Sequence, residues 1–285
     1  MRDDDIGCLI VSCPDRHGII AALSTCLVGL GANIINSDQH STDPEGGSFF
    51  WRLEFHLDEL SRRQEEVEAR LRAVADELGM DWKLRVGQTP TRVALFTGRY
   101  EHCLLDLLWR WRRGELRMEV VCVVSNHPDL EPEVRAFGVP YHHFPVSPET
   151  KAAAEEQELE LLVGNVDLVV LARYMQVLSN DFLRLVGVPV INIHHSFLPA
   201  FAGADPYARA HARGVKLIGA TAHYATEDLD EGPIIEQDVA RVTHRNTAEE
   251  LALIGRDIER VVLARAVGWH LDDRVLVHGN RTIVF

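Results

Sequence analysis

The sequence is short of positive charge and of long apolar runs. Its 285 residues carry 29 Lys and Arg against 43 Asp and Glu, a formal net charge of −14. Nucleic acids and anionic membranes bind basic faces, so this balance argues against both as partners. No apolar run approaches the roughly 18 residues of a membrane span, and the acidic start MRDDDIG does not resemble a signal peptide. We therefore expect a cytoplasmic protein that acts on small molecules.

Cysteines arranged for disulfides or metal are missing as well. The five cysteines are an odd number without a CxxC pair, a pattern typical of reduced thiols. Among the 14 histidines, His194, His195 and His223 could converge on a metal, but neither HxxxH nor HExxH occurs. We expect no metal and no cofactor, and metal-dependent hydrolysis stays an alternative.

The first 86 residues alternate between short strands and amphipathic helices. Apolar and alternating patterns predict strands at 6–12, 33–40, 49–57 and 82–86. Isoleucine and leucine at helical spacing predict a helix that opens at Asp15 and closes at Gly31, and a second helix ends at Gly79. The order βαββαβ predicts a ferredoxin-like domain over residues 1–86.

A polar, proline-containing stretch at residues 87–91 is the predicted linker. In residues 92–285, continuous Val, Ile and Leu runs alternate with helical stretches. These runs predict strands at 93–96, 120–124, 168–172 and 190–193 of a Rossmann-like, mostly parallel α/β sheet with helices on both faces. Ligands of such sheets bind beyond the carboxyl ends of the strands, so we expect the chemistry there.

Two polar side chains stand at the end of one predicted strand. Asn192 and His194 share a face because side chains alternate along an extended strand. Polar groups at the end of an apolar central strand carry a desolvation cost unless they are paired. The residues alone leave two interpretations open, namely hydrogen bonds to a neighbouring loop or a reactive site.

An acidic loop at residues 225–233 follows another predicted strand, 218–224, and ends in the turn Gly232-Pro233. Carboxylates in such loops are usually solvated, and less often bind cations. A carboxylate beside a histidine instead orients the ring and favours its charged form. Such a pair can donate a proton to a developing oxyanion and move protons between water and a leaving nitrogen.

The motif Asn-x-His at 192–194, followed by Ser-Phe-Leu-Pro at 196–199 and Leu-Asp-x-Gly-Pro at 229–233, resembles the formyltransferase family that uses 10-formyltetrahydrofolate. The resemblance implies a catalytic trio of Asn192, His194 and Asp230, supported by neighbouring residues and by a folate site in the segment 172–179 and the acidic loop. The supporting residues are His195, Ser196 and His223. The implied folate-binding residues are Met175, Gln176, Val177, Leu178, Thr226 and Asp228.

The N-terminal stretches 13–19 and 31–34 resemble an ACT domain, the amino-acid-sensing ferredoxin-like module. The resemblance implies a homo-oligomer paired through ACT domains and an amino-acid effector such as glycine or methionine. Backbone amides at a helix N-terminus favour the carboxylate of such a ligand. The implied effector residues are Asp15, Arg16, His17, Gly18 and Asn33.

An ACT domain before a formyltransferase domain is similar to the layout of the formyltetrahydrofolate deformylase family, and the resemblance covers almost the whole chain. It implies hydrolysis of 10-formyltetrahydrofolate to formate and tetrahydrofolate, which balances the one-carbon pool and supplies formate for purine synthesis. Several stretches (106–111, 125–130 and 194–201) resemble this family in particular.

The remaining question is whether water or an amine accepts the formyl group. Transferases that formylate glycinamide ribonucleotide share the trio, and a Gly/Ser/Asn-rich loop holds their acceptor's phosphate. The corresponding stretch, 97–103, keeps Gly98 but adds bulky side chains and a carboxylate, although Arg99 could still bind an anion. His195 stands where those transferases usually have proline. We expect water as the acceptor; a transferase to an amine and a non-catalytic regulator that binds folate and an amino acid stay as alternatives.

Overall fold

The computed structural model describes residues 3–43, 45–87, 89–200 and 206–285. It divides the chain into two compact units, one of residues 1–89 with Phe285 and one of residues 90–284. Pro44, Gln88, which lies in the predicted linker, and Phe201, which lies in the stretch 194–201 that resembles the family, are outside the described residues. None of the helices in the described ranges has the length and apolar character needed to cross a membrane.

The first unit has the predicted element order. After a 3₁₀ turn at Asp3–Asp5 come β1 (Ile6–Pro14), α1 (Ile19–Leu30), β2 (Asn33–Ser41), β3 (Ser48–His56), α2 (Leu60–Leu78) and β4 (Asp81–Val86). The strands form one antiparallel sheet in the order β2-β3-β1-β4. Apolar faces of both helices bury Leu23, Leu27, Val67 and Leu71 against this sheet, and each such side chain stabilises the fold by about 1.5–3 kcal/mol. The ferredoxin-like prediction is confirmed.

The predicted start of α1 is wrong. The helix begins at Ile19, not at Asp15, because Gly18 adopts a left-handed backbone conformation with φ of 94°. Glycine tolerates this conformation without steric cost, and it interrupts helical geometry before Ile19. The Asp15 amide instead donates to the Gly47 carbonyl oxygen at 2.8 Å. The turn at 15–18 is therefore a separate loop ahead of the helix.

The second unit alternates strands and helices. Its elements are β5 (Thr91–Thr97), α3 (His102–Arg112), β6 (Met118–Ser125), α4 (Glu131–Ala136), β7 (Tyr141–His143), α5 (Lys151–Leu162), β8 (Leu168–Ala172), α6 (Asn180–Val186), β9 (Val190–His194), α7 (Pro206–Arg213), β10 (Leu217–Tyr224), β11 (Ile234–Arg241), α8 (Ala248–Leu271), β12 (Val275–His278) and β13 (Arg281–Val284). Seven strands form one sheet in the order β11-β10-β9-β8-β5-β6-β7, and β12 pairs with β13.

The seven-stranded sheet is parallel from β9 to β7, whereas β10 pairs antiparallel with both of its neighbours, β9 and β11. Alternate residues along each strand face opposite sides, so β8 sends Leu168 and Val170 into one core and Val169 and Leu171 into the other. Helices α3 and α8 cover the first face, and α5 and α6 cover the second. The prediction of a Rossmann-like sheet with helices on both faces is confirmed.

Candidate active site

Two adjacent strands bring the polar side chains together. Asn192 and His194 lie on alternate positions at the end of β9, and the antiparallel β10 places His223 directly opposite Asn192. The loop after β10 then returns to the same strand ends. This edge of the sheet is where ligands of open α/β folds bind.

The return of this loop depends on a glycine. A Cβ at Gly232 would lie 1.8 Å from the Tyr224 carbonyl oxygen, so only glycine lets the chain double back against the end of β10. Asp230, two residues earlier, has φ of 59°. Its Oδ1 reaches to 3.1 Å from Nδ1 of His194 and 3.8 Å from Nε2 of His223. The structure thus brings the predicted trio into one site.

The Asp230–His194 pair determines which ring nitrogen of His194 carries a proton. The hydrogen bond from His194 lowers the pKa of Asp230 below its usual value, against the opposing effect of burial, so this carboxyl is ionised at neutral pH. An ionised carboxylate only accepts, so Nδ1 of His194 carries a proton. The other ring nitrogen, Nε2, is buried and has no hydrogen-bond partner within the described ranges. That atom is left available for a reacting group.

His223 holds the Asn192 amide in one orientation. Its Nδ1 lies 3.0 Å from the Tyr224 carbonyl oxygen, so Nδ1 donates. Burial lowers the pKa of His223, which keeps the ring neutral and leaves Nε2 as an acceptor. Nδ2 of Asn192 lies 3.2 Å from that nitrogen and donates to it. His223 is therefore a positioning residue. Its contact with one N–H of the Asn192 amide fixes the direction of the other N–H.

Most of the folate-binding residues implied by the resemblance line one cleft with two members of the trio, Asn192 and Asp230. Gln176, Val177, Leu178 and Thr226 share it with Asn192, His223 and Asp230. Met175 lines a different cavity, on the side of His195. Asp228 is exposed, and its backbone carbonyl accepts a hydrogen bond from the Thr226 hydroxyl at 3.2 Å.

His195 and Ser196 have different surroundings. The ring of His195 stacks on that of His194 with centroids 5.1 Å apart. Burial, followed by the nearby charge of Arg173, lowers the pKa of His195 to about 4, so the ring is neutral at physiological pH. Ser196 is buried and its hydroxyl donates to the Ala200 carbonyl oxygen at 2.8 Å. Its hydroxyl therefore stabilises the loop after β9.

Sequence reasoning missed a buried ionic cluster beside His195. Glu259 of α8 is fully buried and accepts hydrogen bonds from Nε2 of His102 at 2.7 Å and from the Tyr207 hydroxyl at 2.6 Å. Nε of Arg173 lies 3.3 Å from the same carboxylate. Although burial raises it, the hydrogen bond from His102 and the charge of Arg173 hold the pKa of Glu259 below its usual value. The available signal was the helical spacing of Glu259 from Gly255 and Leu263, which lie on the buried face of α8.

The three histidines considered as metal ligands do not converge. Over the described ranges, the groups of His, Cys, Asp and Glu with ligand atoms within 4.8 Å of one another are His102-Cys103-Glu259 and Asp5-His56-Asp58. Neither includes a trio residue. In the first group, burial raises the pKa of the Cys103 thiol well above its usual value. A neutral thiol beside a carboxylate that is already hydrogen-bonded fits a structural cluster better than a metal centre.

The segment that leads into the cleft of Asn192 and Asp230 is held by a second buried carboxylate. Arg173 and Met175 have φ of 66° and 61°, and Tyr174 lies between them. The Tyr174 hydroxyl donates to Glu158 at 2.8 Å, and its ring packs edge-on against Phe96 at 5.1 Å. Non-glycine residues in this conformation cost about 1–3 kcal/mol each, so the buried contacts of Tyr174 are what maintain it.

Glu158 predicts a measurable pH dependence of stability. Burial raises the pKa of Glu158 to about 7, against the opposing hydrogen bond from Tyr174. The folded state therefore binds more protons than the unfolded state between the ordinary glutamate pKa and about 7, and the free energy of unfolding falls as pH rises through that window. Glu158→Gln keeps a neutral acceptor for Tyr174, so at pH 8 it should be more stable than the parent by about 1–3 kcal/mol.

Denaturant unfolding at pH 5 and pH 8 measures this difference. Glu160→Gln, at an exposed position on the same helix, is the control and should follow the parent at both values. An equal pH dependence in Glu158→Gln and the parent would contradict the assignment.

The effector residues implied for the first unit do not form one cluster in a single chain. Asp15 accepts a hydrogen bond from the Ser41 hydroxyl, and Nη2 of Arg16 donates to the Glu77 carbonyl oxygen at 2.8 Å. His17 and Gly18 are exposed beside them. Asn33 begins β2, whose other end carries Ser41, and eight strand steps of about 3.3 Å separate the two by about 26 Å.

Comparison with known proteins matches both units of the chain to families. The family described as Formyl transferase matches residues 91–267, and the ACT domain family matches residues 9–72. The curated formyltetrahydrofolate deformylase of Mycobacterium bovis is 60% identical over 282 residues, which cover 99% of this chain and 91% of the relative. A crystal structure of a formyltetrahydrofolate deformylase from Pseudomonas syringae pv. tomato is 47% identical with a TM-score of 0.94, over 98% of this chain and 94% of that one.

A transferase structure is similar over a smaller share of the chain. Glycinamide ribonucleotide transformylase 1 from Symbiobacterium toebii is 30% identical with a TM-score of 0.65, and it covers 71% of this chain and 98% of its own. Fold and site together define an ACT-linked protein of the formyl transferase class. Within that class, the identity over nearly the whole length shows that the chain belongs to the formyltetrahydrofolate deformylase family.

Proposed function

We propose that this protein hydrolyses 10-formyltetrahydrofolate to tetrahydrofolate and formate, with water as the acceptor. The observation that carries the proposal is the ionised Asp230 at 3.1 Å from His194, whose Nε2 has no partner among the described residues, beside a cleft lined by Asn192 and Asp230. Relatives that share this layout over almost the whole chain are named formyltetrahydrofolate deformylases. The product formate would supply purine synthesis.

The first step adds water to the formyl carbon. His194 holds its proton on Nδ1, toward Asp230, so Nε2 accepts a proton from water as the water oxygen bonds to carbon. The carbonyl oxygen becomes an oxyanion that accepts hydrogen bonds from the Asn192 amide and from the new Nε2–H. Donors fixed before the reaction stabilise this charge without reorganising.

The second step breaks the bond between carbon and N10. The imidazolium of His194 gives its Nε2 proton to N10, the oxyanion reforms a carbonyl, and the electron pair of the broken bond stays on nitrogen. Formic acid leaves and loses its proton to solvent. Because N10 is an aryl nitrogen and a comparatively good leaving group, general acid–base catalysis is sufficient and we propose no metal or cofactor.

The decisive experiment omits any amine. Purified full-length protein incubated with 10-formyltetrahydrofolate in buffer alone should release tetrahydrofolate and formate in equal amounts. An amine transferase would release neither until an acceptor such as glycinamide ribonucleotide is added. A non-catalytic regulator would bind the folate and leave it unchanged in both conditions.

Metal removal should leave the rate of hydrolysis unchanged. The trio supplies both proton transfer and oxyanion stabilisation, so exhaustive treatment with a strong chelator should not alter kcat. Metal analysis of the treated protein is the control that removal was complete. Loss of activity that zinc or iron restores would place histidines of this site in a ligand role and overturn the proposed mechanism.

We also propose that the first unit senses an amino acid at an interface between two chains. The 15–18 turn and Asn33 lie about 26 Å apart along β2, at about 3.3 Å per residue, so one small ligand can contact both only if a second chain contributes one of them. Glycine and methionine are the proposed effectors, since both report on one-carbon supply. The cytoplasm is the proposed compartment, because no disulfide joins the five cysteines, all of which the structure describes.

Titration of each amino acid into the full-length protein tests the sensor. We expect one of them to shift the rate of hydrolysis and to bind by calorimetry, with a dimer or larger species by light scattering. Asn33→Ala should abolish the shift, whereas Arg62→Gln, at an exposed position on α2, should retain it. If no amino acid binds or changes the rate, the first unit has an assembly role only.

A further inference from the structure

A second cavity lies beside the active site and is separate from the folate cleft. It has a volume of about 470 Å³, and its lining includes Tyr100, Arg173, His195, Tyr207 and Arg256. It shares no lining residue with the cleft that holds Asn192, His223 and Asp230. His195, whose ring stacks on His194, forms part of its wall. The cavity therefore adjoins the catalytic histidine from another direction.

The guanidinium of Arg173 is the unusual group in this cavity. The residue is only 8% exposed, yet its Nη1 has no hydrogen-bond partner in the ranges that the structure describes. Its backbone has φ of 66°, a conformation that costs a non-glycine residue about 1–3 kcal/mol. A buried, strained and incompletely paired arginine is a costly arrangement, and an anion in the cavity would complete its hydrogen bonds.

Glu259 does not complete them. Its two oxygens already accept from His102 and Tyr207, and the contact with Nε of Arg173 is an ion pair at 3.3 Å. The guanidinium of Arg256 lies 5.6 Å from the centre of the Tyr100 ring, and that of Arg173 lies 5.1 Å from the same centre. Two cations thus stand around one ring at the edge of the cavity.

The charges around the cavity select the kind of anion. Arg173 and Arg256 are balanced by Glu259 and by Glu249 on the rim, and His195 is neutral. Added negative charge meets two carboxylates as well as two guanidiniums, so a monoanion is favoured over a phosphate dianion. A planar carboxylate also matches the fork of a guanidinium, which donates two parallel hydrogen bonds.

We propose that this cavity binds a small planar carboxylate through Arg173 and Arg256, and that its occupant is the formate released at the neighbouring trio. The identity of the occupant rests on the proposed function, whereas the class of ligand rests on the cavity. Formate has only three heavy atoms. Because the binding energy per heavy atom has a ceiling, its dissociation constant should not fall much below about 1 mM. Such a site would hold the product briefly and let it leave.

Saturation-transfer difference NMR of the formate proton tests the site without folate. Sodium formate is titrated into the full-length protein at constant ionic strength, with inorganic phosphate added in a second series. We expect formate to bind saturably with a dissociation constant near the millimolar range. Phosphate at the same concentration should displace little of the bound formate. Arg173→Lys keeps a cation beside Glu259 but loses the planar fork, so it should weaken formate binding by about tenfold.

Two further variants complete the test, one in the cavity and one as a control outside it. Arg256→Met removes the second guanidinium without leaving Glu259 unpaired, and should weaken binding even where Arg173→Lys proves unstable. Arg184→Gln, an exposed arginine of α6 that pairs with Asp181, is the matched control and should bind formate like the parent.

The outcomes separate this site from the proposed reaction. Equal formate signals in all four proteins, or displacement of formate by a lower concentration of phosphate, would overturn the site. Hydrolysis of the folate without formate binding would overturn the site alone. Formate binding by a protein that releases none from the folate would overturn the proposed function and the identity of the occupant, and leave a carboxylate site.

Discussion

Asp230→Asn should lower kcat for hydrolysis at least about a hundredfold, while binding of the folate stays close to that of the parent. The substitution keeps the shape of the side chain but removes the charge that faces Nδ1 of His194 at 3.1 Å. An asparagine can also present its N–H₂ to that nitrogen, which would move the ring proton to Nε2 and prevent it from accepting a proton from water. Both effects act on the transition state and leave the cleft lining in place.

Pre-steady-state rates and folate affinity, measured by fluorescence titration, separate chemistry from binding in this variant. Glu231→Gln, at the exposed neighbouring position in the same loop, is the matched control and should turn over like the parent. Near-parental turnover by a folded Asp230→Asn protein would remove Asp230 from the mechanism.

Asn192→Ala should lower kcat by about 10²–10³-fold, the usual loss when one oxyanion donor is removed. The amide is fixed by its 3.2 Å contact with His223, so it meets the oxyanion without reorganising. KM should change much less than kcat, because the donor strengthens its contact only as charge develops. Steady-state kinetics with 10-formyltetrahydrofolate measure both constants.

Stability must be followed in the same variant. Removing the amide leaves Nε2 of buried His223 without its donor, which costs about 1–3 kcal/mol, so thermal unfolding should confirm that the protein is folded at the assay temperature. Asn165→Ala, an exposed amide that caps the end of α5, serves as the control. A rise in KM with kcat unchanged would show that Asn192 only binds substrate.

Local patterns in the sequence were enough for the architecture. The periodic leucines of α1 and α2 and the alternating residues of β3 predict the ferredoxin-like unit, since helices and strands with one buried face carry a periodic apolar signal. Continuous apolar runs likewise predict β5, β6, β8 and β9 of the parallel sheet. The resemblance of the motifs at 192–199 and 229–233 indicated the family, which the comparisons confirm.

The sequence by itself thus determined the elements, the class of sheet and the residues worth testing. Only the tertiary structure decided which side chains meet: His223 on the Asn192 amide, Asp230 on His194, and Arg173 on Glu259. It also decided that α1 starts at Ile19, because Gly18 takes a left-handed conformation at the end of a loop whose Asp15 amide is bound to the distant Gly47 carbonyl oxygen. The physical reason is that the buried side chains of a helix or strand recur at a regular spacing along the chain. The contact between Arg173 and Glu259 instead arises when distant helices and strands pack against one sheet. Such a contact leaves no periodic pattern in the sequence.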